Sequence, residues 1–118
     1  MLVPGRPEAV TSCVYGPLGA PPGSSTLIGS RDVSDSTVEL RALLNGLPVV
    51  PEGQVFSCPF DNGSQIVLRF TYPDGRHVIV AINLTGCQFA RNGLVKARTT
   101  VQAQAVLSRL FGVAWGPS

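Results

Sequence analysis

The chain has little of the material from which catalytic or nucleic-acid-binding sites are usually built. It holds one histidine, His77, and one lysine, Lys96, against eight arginines. No HExxH, GxSxG or phosphate-loop motif occurs, so zinc peptidase, serine hydrolase and nucleotide-binding readings have no motif to start from. The three cysteines, Cys13, Cys58 and Cys87, form no CxxC pair. That removes zinc-knuckle and thioredoxin-type chemistry and leaves the arithmetic of one pair plus one thiol. After residue 52 the only carboxylates are Asp61 and Asp74, both inside turn sequences. A glycosidase needs a facing carboxylate pair and calcium needs several oxygen donors. No apolar run reaches the ~20 residues of a membrane helix. The basic residues are neither dense nor interleaved with stackable aromatics, so nucleic acid is not expected as a partner. No catalytic residue, metal or cofactor is expected.

What is present suits one globular domain. The 118 residues are 44% hydrophobic and 14% charged, enough apolar material for a core that does not depend on disulfides alone. The net charge of +2 is unevenly spread: residues 1–64 carry −3 and residues 65–118 carry +5. The C-terminal half should therefore attract anions mildly. A single domain over 1–118 is expected, with 1–8 and 116–118 as flexible ends. The opening "MLVPGRPEA" has no apolar h-region, so an exported form is expected to carry its leader outside this chain.

Local patterns predict an α+β fold. "AVTSCVY" (9–15) is a β-branched run and reads as a first strand, followed by a loop in "GPLGAPPGSS" (16–25). Ser36 and Glu39 have the spacing of a capping box, and Leu40, Leu43, Leu44 and Leu47 form one apolar helical stripe. Asn45-Gly46 and Pro48 end that helix. Three prolines in 48–59 predict an ordered but irregular crossing. "QIVLRFTY" and "RHVIVAIN" flank Pro73-Asp74-Gly75 as a hairpin. Its register sets Phe70 opposite Val78, Leu68 opposite Val80 and Ile66 opposite Ile82, an all-apolar face. The other face, with Arg69, Thr71 and His77, is more polar and should be exposed. A second hairpin is expected around a two-residue Asn92-Gly93 turn. A last helix begins near Thr99 or Thr100, carries the stripe Ala103, Val106, Leu107, Leu110 and Phe111, and stops at Gly112, with Trp115 folding back. The order is β-α-β-β-β-β-α: an antiparallel sheet of about four to five strands, with two hairpins, covered on one face by two helices.

The register carries a prediction about the cysteines. Extended outward from the first hairpin, it sets Asp61 opposite Cys87, with Cys58 a few residues beyond. A Cys58–Cys87 disulfide is within reach if the segment "PFDNG" bulges, and it would close a loop of about thirty residues, worth about 3 kcal/mol on the loop-entropy account. Cys13 then stays free, with a buried thiol as the expectation, or pairs with another chain.

Two resemblances rest on particular stretches. "CPFDNGSQIVLRFTYPDGRHVIVAINLTGCQFARNG", with "SCVY", "GSRDVSD" and "LRALLNGLP", resembles a domain of secreted proteins and lipoproteins of actinobacteria that has no assigned activity. This implies an extracellular or cell-envelope location. "PEAVTSCVYGPLG" (7–19), the helix ending near Leu47, and Cys58-Pro59 followed about thirty residues later by Cys87 are similar to the Streptomyces subtilisin inhibitor family. In that family the residue after Cys-Pro is the P1 specificity residue on an exposed loop. The resemblance implies Phe60 as P1 and Asp61 as P1′, within a reactive or binding loop of Pro59, Phe60, Asp61 and Asn62. The chain departs from that family in having only Cys13 of its second disulfide, in lacking the leading strand, and in its extra C-terminal helix.

The expected role is an exported, non-catalytic domain that binds another protein or serves structurally in the envelope. The alternative is an inhibitor of a subtilisin-like protease. One side chain separates them. An inhibitor presents Phe60 outward; a module binding elsewhere packs Phe60 and exposes an apolar or basic patch, around Arg69 and Arg91.

Overall fold

The apolar alternation of residues 65–83 decides the centre of the fold. In the computed structural model, which describes residues 1–19, 24–54 and 56–116, β3 (Gln65–Thr71) and β4 (His77–Asn83) pair in the expected register, Phe70 with Val78, Leu68 with Val80 and Ile66 with Ile82. Ile66, Leu68, Phe70, Val80 and Ile82 are all fully buried. Burying side chains of that size contributes roughly 1.5–3 kcal/mol each. The opposite face of the same strands, from Arg69 to His77 and Ile79, stays open to solvent.

The remaining strands extend this hairpin on both sides. β1 (Ala9–Gly19) pairs antiparallel with β3, and β2 (Ser24–Asp32) pairs antiparallel with β1. On the other side lie β5 (Phe89–Arg91) and β6 (Lys96–Arg98), giving one six-stranded antiparallel sheet in the order β2-β1-β3-β4-β5-β6. The sheet thus has a strand more than the upper expectation, and the difference is β2. Residues 24 and 25, expected within a loop, begin that strand, and the expected loop over 16–19 belongs to β1; residues 20–23 lie outside the described residues. Register shifts between Val14 and Leu18 let a glycine- and proline-containing segment remain on the ladder.

Two helices, α1 (Thr37–Asn45) and α2 (Val101–Phe111), cover one face. Their stripes Leu40, Leu44 and Ala103, Leu107, Phe111 share one buried cluster with the inward residues of the sheet. Thr100 caps α2 by accepting the Ala103 N–H at 3.1 Å, and Gly112, at φ +67°, ends it. Trp115 folds back, its indole donating to Gln104 O at 3.1 Å and Ser108 Oγ at 2.9 Å.

Four local expectations are corrected. Ser36 makes no side-chain cap at α1. A 3-10 turn, Ser34–Ser36, leads in instead, held by Ser34 hydrogen-bonded to Asp32 and by the Thr37 hydroxyl donating to Ser34 O at 2.6 Å. The second hairpin pairs Arg91 with Lys96, so its loop has four residues rather than two, because Asn92 Oδ1 accepts the N–H groups of both Leu94 and Val95. Residues 1–8 are not a loose end: Leu2 and Val3 are buried, and Asn45 exchanges hydrogen bonds with both backbone groups of Val3. Cys13 is half-buried on the open face, opposite Ser30, rather than in the core. The crossing at 48–59, of which residue 55 lies outside the described residues, is tied to β6 through Val50 N to Lys96 O and Arg98 N to Pro48 O.

Candidate functional site

Loop 57–64 leaves the sheet just before β3 and is fastened at both ends. Pro59 has a fixed φ and forces extended backbone on Cys58. Cys58 is joined to Cys87 by a disulfide, with Cα atoms 5.0 Å apart. Two residues later Phe60 projects into solvent with 86% of its surface exposed, whereas Phe70 is fully buried. A single exposed apolar side chain is ordinary on a protein surface, and Leu94 is exposed to 95%. Phe60 is distinguished by the rigidity on either side of it.

The fastening on the C-terminal side is a knot of hydrogen bonds centred on Thr85. Its hydroxyl accepts the Asn62 N–H at 3.1 Å, and its own proton lies between Asp61 Oδ1 at 2.8 Å and Asn62 Oδ1 at 3.1 Å. Asp61 Oδ1 also accepts the Gly63 N–H at 2.9 Å, and Asn62 Oδ1 the Ser64 N–H at 2.9 Å. Asn83 Nδ2 reaches Asp61 Oδ2 at 3.5 Å. The Asp61 carboxylate therefore turns back onto the scaffold instead of extending outward with Phe60. Between Ser57 and Asp61, no backbone group is hydrogen-bonded to the backbone of another described residue.

The platform under the loop is the β4–β5 connection, and its backbone is unusual. Gly86, at φ +72°, lies so close that a β-carbon on it would stand 2.9 Å from Asp61 Cβ. Gln88 has φ +57° and is the one non-glycine residue with positive φ among the described residues. Such a conformation costs a side-chain-bearing residue on the order of 1–3 kcal/mol and persists where surroundings enforce it. Here the buried Gln88 amide donates to Leu84 O at 3.1 Å and Gly116 O at 2.8 Å, and its carbonyl accepts from Gln104. Cys87 is thus held between two residues of constrained backbone.

The expected loop residues Pro59, Phe60, Asp61 and Asn62 come together with Cys58 and Cys87 in one structure. Thr85, Gly86 and Gln88 were not singled out from sequence. The signal available for the first two was their position in "LTGC", immediately before a cysteine with a partner.

Away from the loop, a concavity of about 450 Å³ is lined by Tyr72, Asp74, Arg76 and His77 at the tip of the first hairpin. It does not hold a catalytic dyad. The Asp74 carboxylate is taken up by Arg76, with the backbone N–H at 3.0 Å and Nε at 2.6 Å, and these contacts hold its carboxyl below the ordinary 3.8. His77 Nε2 lies 2.8 Å from Arg69 Nη2, and Nδ1 lies 3.3 Å from the Thr71 hydroxyl. Guanidinium only donates, so Nε2 accepts and Nδ1 carries the hydrogen. The imidazole is therefore not set to take a proton from Thr71.

No helix is long and apolar enough to cross a membrane among the described residues. Compared with known proteins, the chain matches no protein-family model, no curated protein and no solved structure.

Proposed function

We propose that the chain is an exported, non-catalytic protein-binding domain whose working element is loop 57–62. In this reading it is a substrate-like inhibitor of a serine protease with a large apolar primary pocket, of subtilisin or chymotrypsin type. The observation that carries the reading is Phe60: a large apolar side chain, 86% exposed, placed between a disulfide and a hydrogen-bonded knot. A flexible peptide loses much of its binding free energy to ordering, and a loop already held in extended form avoids that loss. The backbone of 57–61, unpaired with the backbone of any other described residue, would supply the strand-like hydrogen bonds a protease cleft offers its substrates. The charged residue after Phe60 is accommodated because its carboxylate is hydrogen-bonded at the surface by Thr85, Gly63 and Asn83 of the same chain. A disulfide suits an oxidising, extracytoplasmic compartment.

The test is titration of a bacterial subtilisin and of chymotrypsin with the purified domain, using a chromogenic peptide as reporter. Competitive inhibition is expected and should disappear in Phe60→Gly. Full protease activity with micromolar domain present would overturn the reading.

A further inference from the structure

Three cations stand near the base of the loop, each in contact with a neighbouring side chain and none paired with an acid among the described residues. Lys96 Nζ sits 4.8 Å from the centre of the Phe89 ring, and Arg98 Cζ 5.7 Å from that of Phe56. The two rings pack edge to face at 5.1 Å. Phe56 lies four residues before Phe60 on the same chain segment, so this cluster flanks the approach to the loop. Beside them Arg91, the cross-strand partner of Lys96, donates to Asn83 Oδ1, and Asn83 in turn reaches Asp61. All three side chains belong to β5 and β6 and are exposed. None lies within 4 Å of a carboxylate among the described residues, whereas Arg76 and Arg109 are paired with Asp74 and Glu39.

The arrangement works against the hairpin that carries it. Arg91 and Lys96 are direct cross-strand partners, and like charges directly opposite each other weaken a strand pair. An anionic surface laid against this side of the sheet relieves that repulsion. Fixed rim charges of one sign act chiefly on encounter, raising the association rate with a surface of opposite sign.

We propose that Arg91, Lys96 and Arg98 form a second contact surface that selects proteases with acidic residues beside the cleft, on the side occupied by residues preceding Phe60. The proposal rests on the inhibitory-loop reading and names the partner more narrowly. Phe60 sets which pocket is filled, and the cations set which protease is met fastest.

The experiment measures association rates with two proteases that share an apolar primary pocket but differ in the sign of charge around the cleft. At low salt the domain should associate with the acidic-rimmed protease on the order of tenfold faster than its R91Q/K96Q/R98Q variant does. At about 0.5 M NaCl, where screening falls to a few ångströms, the two rates should converge. Arg76→Gln, at the far end of the first hairpin, removes one charge and should leave the rate unchanged. If stacking losses unfold the triple variant, Arg91→Gln alone retains both ring contacts and should show a smaller slowing in the same direction. Rates within twofold of the parent at low salt, with inhibition intact, overturn this proposal and leave the loop reading standing. Binding of a soluble acidic polysaccharide with unchanged protease rates assigns the cations to a different partner and overturns it too. A parent domain that inhibits neither protease overturns both readings.

Discussion

The Thr85 hydroxyl and the Asp61 carboxylate, 2.8 Å apart, join the platform to the exposed loop. Thr85→Val keeps the volume and removes both the donor and the acceptor that fix Asp61 and Asn62. Each lost hydrogen bond is worth about 1 kcal/mol, so inhibition should weaken by roughly tenfold or more. The unfolding temperature should move little, since the knot lies at the surface. Inhibition constants measured beside thermal melts check this; equal potency would show that Thr85 does not order the loop.

Phe60 itself should contribute little to stability. With 86% of its surface in water, Phe60→Gly should leave unfolding within about 0.5 kcal/mol of the parent, as surface substitutions usually do. Chemical denaturation reads the difference, and a large loss would mean that Phe60 packs on the domain.

At Gly86 two penalties coincide. Gly86→Ala places a β-carbon 2.9 Å from Asp61 Cβ in a backbone of positive φ. A destabilisation of about 1–3 kcal/mol is expected, with the loop displaced and inhibition reduced. Gly93→Ala is the comparison: φ is also positive there, but no atom lies within 4 Å. Denaturation midpoints should fall further for Gly86→Ala.

Reduction of Cys58–Cys87, separated by 29 residues, should lower stability by about 3–4 kcal/mol on the loop-entropy account. The sheet and helices have a separate apolar core, so the reduced chain should retain far-ultraviolet dichroism at room temperature while losing its hold on loop 57–64. Much faster proteolysis between Cys58 and Asn62 after reduction than before is the expected readout.

Acid should act through Asp32 as well as Asp74. Ser34 donates to the Asp32 carboxylate from its side chain and its backbone, holding the carboxyl below its ordinary 3.8. A carboxyl depressed in the folded state stabilises above its unfolded value and loses that contribution as pH falls through the folded one. Stability arising from these contacts should therefore be level from pH 5 to 8 and decline below about pH 4. Asp32→Asn should flatten part of that decline in melts recorded across the acid range.

Much of the fold was legible because burial imposes a period on the sequence. The β3–β4 register followed from alternating apolar residues, and the stripes of α1 and α2 from helical spacing. The Cys58–Cys87 bond came from extending that register. β2 was not legible for the opposite reason. It is an edge strand whose Leu27, Ile28, Ser30, Arg31 and Asp32 are all exposed, so no alternation marks it. The docked N-terminus depends on Asn45 and Asn92 reaching Val3 and Leu2, contacts across more than forty residues that leave no local pattern. In the loop, the resemblance to the inhibitor family pointed to Phe60, while its bracing by Thr85 and Gly86 required the two turns to be brought face to face.

That bracing changes the outcome of a cut between Phe60 and Asp61. Ordinarily hydrolysis frees two ends that diffuse apart, and the gain in entropy makes it effectively irreversible. Here the new carboxylate would stay tethered through Cys58 to Cys87, and the new amine through Asn62 to Thr85, anchors that sit on the same short connection between β4 and β5. The effective molarity of one end at the other stays high, as in well-oriented intramolecular reactions. On the inhibitory-loop reading, resealing would then compete with release, so that a nicked domain and an intact one would exchange in the cleft of the enzyme that cut it.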